Sequence, residues 1–187
     1  MMRRIFFTYF LLGTLGMYAQ TTMREVIKQM PDTIVPYLTE NNWLDFMDFI
    51  DSGMKAEVSN ALGGRSEMLK LTDQFASIAL NEASTLQLRL FDTTAPVDSA
   101  SQIICLVQTY GTAIRESKIT FWSTAWRRLS TSDFVVLPDG VWIAKLGEDE
   151  PTLTLTSEHG FDVPASEEQK PLPEVSIILK WNGNILK

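Results

Sequence analysis

Cysteine and histidine are nearly absent from this chain. Its 187 residues hold one of each, Cys105 and His159. A single cysteine excludes an intramolecular disulfide framework, and inside the apolar run IICLV it reads as a small buried hydrophobe. No basic neighbour stands beside it in sequence to make it a reactive thiolate. A zinc site of the usual nitrogen and sulfur ligands cannot be assembled, and a histidine-based triad would have to use His159. No serine stands in a Gly-x-Ser-x-Gly setting. Gly63-Gly64-Arg65-Ser66 lacks the lysine that grips phosphate in a nucleotide loop. The expectation is therefore no metal, no cofactor and no catalytic residue. Basic residues are also scarce, 16 against 23 acidic, for a net charge of −7. With no Lys/Arg cluster, that balance excludes nucleic acid as a partner.

What is present begins with an export signal. Arg3 and Arg4 precede an apolar run over residues 5–15, too short to span a bilayer comfortably, and Ala19 offers a small residue before a cut at Gln20. Residues 1–19 read as a signal peptide, and residues 20–187 as one exported, soluble domain with no integral membrane segment. Removing the signal leaves 14 basic against 23 acidic residues, a net charge of about −9. Hydrophobic content of 45% with 21% charged residues suits a chain that folds around a real core.

Residues 20–62 read as helical. Met23, Val26, Ile27 and Met30 recur at helical spacing, and Pro31 ends that helix. A second helix over residues 43–51, capped by Asn41 or Asn42 and closed by Ser52-Gly53, is apolar around most of its circumference, which predicts that it is sandwiched. Residues 55–61 are ambiguous between strand and helical turn. From residue 66 onward the period changes to two. Residues 68–72, 75–80, 86–90, 103–110, 117–122, 134–137, 141–145, 153–155 and 175–181 carry strand patterns. Residues 92–101, polar and containing Pro96, read as a loop, as do residues 158–173. Pro138-Asp139-Gly140 is the clearest hairpin signal. Helices first and about eight strands afterwards indicate an α+β fold, with N-terminal helices packed on a curled, mainly antiparallel sheet or half-barrel.

Three stretches carry a resemblance: residues 23–64 (MREVIKQM through SNALGG), residues 71–91 (LTDQFASIALNEASTLQLRLF) and residues 105–129 (CLVQTYGTAIRESKITFWSTAWRRL). Together they resemble a family of exported bacterial proteins of the Bacteroidetes type, classed as a domain of unknown function, over about residues 21–129. The resemblance implies export and a single domain, and it brings no chemistry.

Four constellations could form a site. Asp45, Asp48 and Asp51 recur every three residues, but a hard cation wants oxygen ligands held by a loop, so they read as a solvated stripe. Glu40, Asn41, Asn42 and Trp43 could bind a polar ligand, or simply cap a helix and fill the core. Trp122, Trp126, Arg127 and Arg128, with Arg115 across the preceding turn, suit an anionic or aromatic ligand or a protein edge. His159 reads as an exposed titrating side chain. The leading expectation is an exported, non-enzymatic binding or interaction protein of the periplasm or cell surface, whose partner is a small molecule or an envelope protein. The alternative is a carboxylate-dependent hydrolase, with Asp45 or Asp48 paired with Glu57 or Asp73 in a cleft. A third is an envelope-maintenance protein whose helical face meets another protein.

Overall fold

The computed structural model describes residues 20–157 and 175–187. The signal-peptide reading of residues 1–19, the loop expected at residues 158–173 and His159 lie outside the described residues.

Two short helices come first. α1 (Met23–Lys28) is closed at its start by a reciprocal capping box between Thr22 and Glu25. α2 (Glu40–Asp51) starts three residues earlier than its apolar pattern indicates. Its cap is Thr39 rather than Asn41 or Asn42, and Asn42 plays the reciprocal part usually given to glutamate. Gly53, at φ +65°, ends it in the left-handed conformation. The helix is covered on one side only. Trp43, Phe46 and Met47 are buried, whereas Leu44 and Met54 stay exposed, so it is laid on a surface and not sandwiched.

The remaining elements among the described residues are antiparallel strands and one 3-10 turn, Thr131–Asp133. Seven strands follow one another across one open sheet: β1 (Glu57–Ser59), β2 (Arg65–Leu71), β3 (Phe75–Asn81), β4 (Ser84–Val97), β5 (Ala100–Tyr110), β6 (Glu116–Ser123) and β7 (Arg128–Leu129). β8 (Trp142–Leu146), β9 (Thr152–Ser157) and β10 (Ser176–Lys180) form a separate three-stranded sheet in the order β10-β9-β8. The expectation of one curled sheet or half-barrel is corrected by this division. The described residues are mostly β, with the few helices N-terminal, and the sheet does not close.

Alternation along the strands builds two cores, one on each face of the large sheet. Leu86, Leu88 and Leu90 of β4, with Ile104 and Leu106 of β5, join the helices' Met23, Ile27 and Phe46 in one apolar cluster. Phe91, Cys105, Val107 and Phe121 face the other way and join Ala144, Leu146, Leu153 and Leu155 of the small sheet. β5 is buried on both faces, which explains its nearly unbroken apolar run.

Three local readings change. Residues 92–101 are not a loop: β4 runs on to Val97 and turns at Asp98-Ser99, both at positive φ, into β5. A two-residue turn of that kind continues a hairpin despite the polar sequence around it. Residues 55–61 resolve as the edge strand β1. Pro138-Asp139-Gly140 does not join a hairpin, because Val135 pairs with Leu186 and β8 pairs with β9 instead.

Candidate functional site

The β6–β7 turn gathers four of the five expected site residues, and each is held differently. Trp126 sits at φ +60°, an uncommon setting for a bulky side chain. It is held there by burial and by its indole Nε1, which donates to the Val26 carbonyl of α1 at 2.9 Å. Trp126 therefore ties the turn to the helices and is closed to a ligand. Its ring lies 5.9 Å from that of Trp122, tilted by 56°. Trp122, half-buried on β6, donates to Thr120 Oγ1 at 2.9 Å. Arg128 stands opposite Trp122 in the β6–β7 register, with its guanidinium carbon 5.2 Å from the indole centroid, a cation–π arrangement. Arg127 points elsewhere and pairs with Asp98 in the β4–β5 turn. Arg115 lies in the turn before β6. Trp122 is six residues from Glu116 along the strand, so Arg115 is about 20 Å away and does not join the others.

Beside Trp122 the helix-facing side of the sheet is open. Beyond α1 and the turn that follows it, a groove of about 210 Å³ is lined by Thr33, Ile34, Gln108, Lys118, Trp122 and Arg128, among others. Among the described residues, neither Lys118 nor Arg128 has a carboxylate partner, and the half-buried Gln108 amide makes no hydrogen bond. Lys118 and Gln108 were not among the expected site residues. The signal that could have found them is the strand period, which puts Lys118 on the same face as Trp122 and pairs it with Gln108. A larger hollow of about 330 Å³ lies between the helices and includes Trp43, but Lys28, Asp32 and Glu40 mix both signs of charge there.

The candidate acids lie on three different elements. Asp45, Asp48 and Asp51 are exposed on α2, and Asp51 pairs with Arg24. Glu57 lies on β1, where hydrogen bonds from Lys55 and then Arg65 hold its carboxyl below the ordinary value, and Asp73 is exposed in the β2–β3 turn. No group of three or more potential metal ligands forms among the described residues. A hydrolase would need two of these carboxylates roughly 5–10 Å apart in a cleft; Asp45, Asp48 and Asp73 are exposed instead, and Glu57 is engaged by Lys55 and Arg65. Burial pushes the Cys105 thiol up, away from thiolate chemistry.

Sequence reasoning also passed over Arg89. This β4 side chain is 5% exposed and lies between the two sheets. Its guanidinium donates to the carbonyls of Gly147 (2.6 Å), Glu148 (2.8 Å) and Asp149 (3.2 Å) in the β8–β9 turn. Burial lowers its pKa, and Asp149 and then Asp92 oppose that shift. The arginine is a tie between layers and is closed to ligands.

The model of a protein family described as "Protein of unknown function (DUF3256)" matches residues 14–158. The chain belongs to the DUF3256 family. No curated protein matches it. A solved domain of an uncharacterized protein from Porphyromonas gingivalis W83 is similar in fold, with a TM-score of 0.72 and 19% identity, over 90% of this chain and 98% of that one. No helix among the described residues is long and apolar enough to cross a membrane.

Proposed function

We propose that this DUF3256 protein is an exported, non-enzymatic binding protein that recognises an anionic group in the groove beside Trp122. The carrying observation is that Lys118 and Arg128 flank that groove without carboxylate partners in a protein whose net charge is −7. Other cations among the described residues also lack an acid partner, Lys28, Arg115 and Lys145 among them, but Lys118 and Arg128 are set apart by lining the same groove. Two cations left open beside an unused amide form a positive patch that would focus an anion's approach. Arg128 lies over the Trp122 ring and so presents its guanidinium edge to a carboxylate or phosphate. Export rests on residues 1–19, with Arg3, Arg4, the apolar run and Ala19.

The test is a thermal-shift and tryptophan-fluorescence titration with glutarate, inorganic phosphate and a neutral diol. Binding to the native state must raise the melting temperature. The anions should stabilise the wild type and the diol should not. The double variant Lys118→Ala, Arg128→Ala should lose the response while keeping its fold, since both side chains are exposed. Equal stabilisation of wild type and double variant would overturn the reading.

A further inference from the structure

The outer edge of β6 is unpaired beside this groove beyond the end of β7. Ser123 donates its N–H to the Arg127 carbonyl at 2.9 Å, away from β5. Backbone groups alternate sides along an antiparallel strand, so Phe121, Ile119 and Ser117 also turn theirs away from β5. Leu129 lies opposite Phe121, and β7 ends there. Among the described residues no backbone hydrogen bond reaches the outward N–H and C=O of Ile119 or Ser117, although the short 3-10 turn Thr131–Asp133 that follows β7 packs against β6.

The two sides of that edge differ in chemistry. On the helix-facing side stand Lys118 and Arg128, with Glu116 at the far end of the strand. Below lies the small sheet, whose placement two hydrogen bonds define. Leu146 N–H donates to Gln87 Oε1 of β4 at 2.9 Å, and Ala144 N–H donates to Ser117 Oγ of β6 at 2.8 Å. β8 therefore crosses beneath the large sheet from β4 to β6. Trp142, two residues further out and facing the same way, comes past β6 beneath the open edge, next to Val141, which is 47% exposed.

We propose that the open edge of β6 receives an extended segment of a partner protein as an added strand. Its acidic side chains pair above with Lys118 and Arg128, and its apolar side chains rest below on Trp142 and Val141. The charge of the edge selects this occupant: a strand alternating acidic and apolar residues matches the cationic upper side and the apolar lower side at once. Glu116 sets the limit of the acidic contact toward the start of β6. The proposal rests on the anion-binding reading of the groove and adds the backbone ladder to it.

The probe is an end-capped eight-residue peptide alternating valine and glutamate, titrated against the full chain by tryptophan fluorescence, with amide hydrogen exchange followed at Ser117 and Ile119. One control alternates valine and lysine. A second is the valine–glutamate peptide with its four central amides N-methylated. The valine–glutamate peptide should bind at least about tenfold more tightly than either control and slow exchange at both amides. Lys118→Glu with Arg128→Glu should weaken it by at least about tenfold. Equal binding of the methylated peptide, or unchanged exchange at Ser117 and Ile119, would overturn strand addition. Unchanged affinity in the charge-reversed variant would also overturn it, leaving Lys118 as a guard that keeps two sheet edges apart. If glutarate binds and the peptides do not, strand addition fails and anion recognition stands. If no anionic probe binds, both fail.

Discussion

The two faces of the seven-stranded sheet are covered by different means. On one face lie helices, and the cover is mainly apolar: Phe46, Met47 and Trp43 meet Leu86, Leu88 and Leu106. The hydrogen bonds between these layers sit at the margins, from Trp126 Nε1 to the Val26 carbonyl, from the Met23 N–H to the Asp73 carbonyl and from Asn42 Nδ2 to the Ser59 carbonyl. On the other face lies a second sheet, and polar side chains reach across to it repeatedly. Arg89 meets three carbonyls, Gln87 meets the Leu146 amide, Ser117 meets the Ala144 amide, and Trp181 Nε1 meets the Asp92 carbonyl at 2.6 Å. The difference has a physical cause. A helix satisfies its own backbone between its caps, so it can be laid on a sheet with apolar contact alone. A small sheet brings an edge with it, and where that edge is buried each N–H needs a partner from the other layer.

Breaking the apolar cover should have the largest effect. Phe46→Ala should cost about 3–5 kcal/mol in urea unfolding, because Phe46 is fully buried and its removal leaves a cavity under α2. A loss below about 1 kcal/mol would mean that the sheet face is held without the helix. Arg89→Met keeps much of the volume and removes the tie to the β8–β9 turn. It should cost about 1.5–3 kcal/mol, the scale of hydrogen bonds from a charged donor, and should raise hydrogen exchange at Leu146 before it affects α2. Arg89→Lys should rescue little, since a single ammonium cannot reproduce a fork that meets three carbonyls. Uniform loosening of both layers would erase the proposed distinction between the faces.

Gln87→Ala isolates one polar strut. The Leu146 N–H would then be buried without a partner, at a cost of about 1–3 kcal/mol in the same unfolding assay. Thr39→Ala, on the other face, removes a helix cap for about 1 kcal/mol and should leave exchange in β8 unchanged. The smallest effect belongs to Glu57, which sits in an exposed ion cluster with Lys55 and Arg65. Its carboxyl titrates lower in the folded protein than its ordinary 4.5, so its contribution is present above that value and is lost as pH falls through the folded pKa. Glu57→Gln should therefore lower the melting temperature slightly at neutral pH, and the gap should close as the pH falls below about 4.5.

The order of helices then strands, the period-two segments and the apolar run of β5 were all legible, because each is written in the local spacing of apolar residues. The placing of Trp122 on a strand face was legible for the same reason. What could not be read locally went astray for one reason, pairing at a distance. Residues 134–137 and 141–145 flank a strong turn, yet Val135 pairs with Leu186 from the other end of the chain. Residues 92–97 look like a loop because their side chains are polar and exposed, but Thr94 N–H bonds to the Gly183 carbonyl and the strand continues. Arg115 lies near Trp122 in sequence and far from it in space, because β6 is extended between them.

Of this protein's candidate site, the sequence by itself determined the ingredients: an indole on a strand, arginines after a turn, and an acid-rich composition around them. Alternation alone also dictated that Lys118 and Trp122 share a face. Only the tertiary structure decided which cations remain without partners. Arg127 was claimed by Asp98 across a hairpin that only folding creates, Trp126 was claimed by α1, and Lys118 and Arg128 were left open where the helices stop covering the sheet. Local sequence sets the chemistry a side chain carries. Whether that chemistry is already satisfied depends on neighbours brought in by chain pairing, and those neighbours lie tens of residues away.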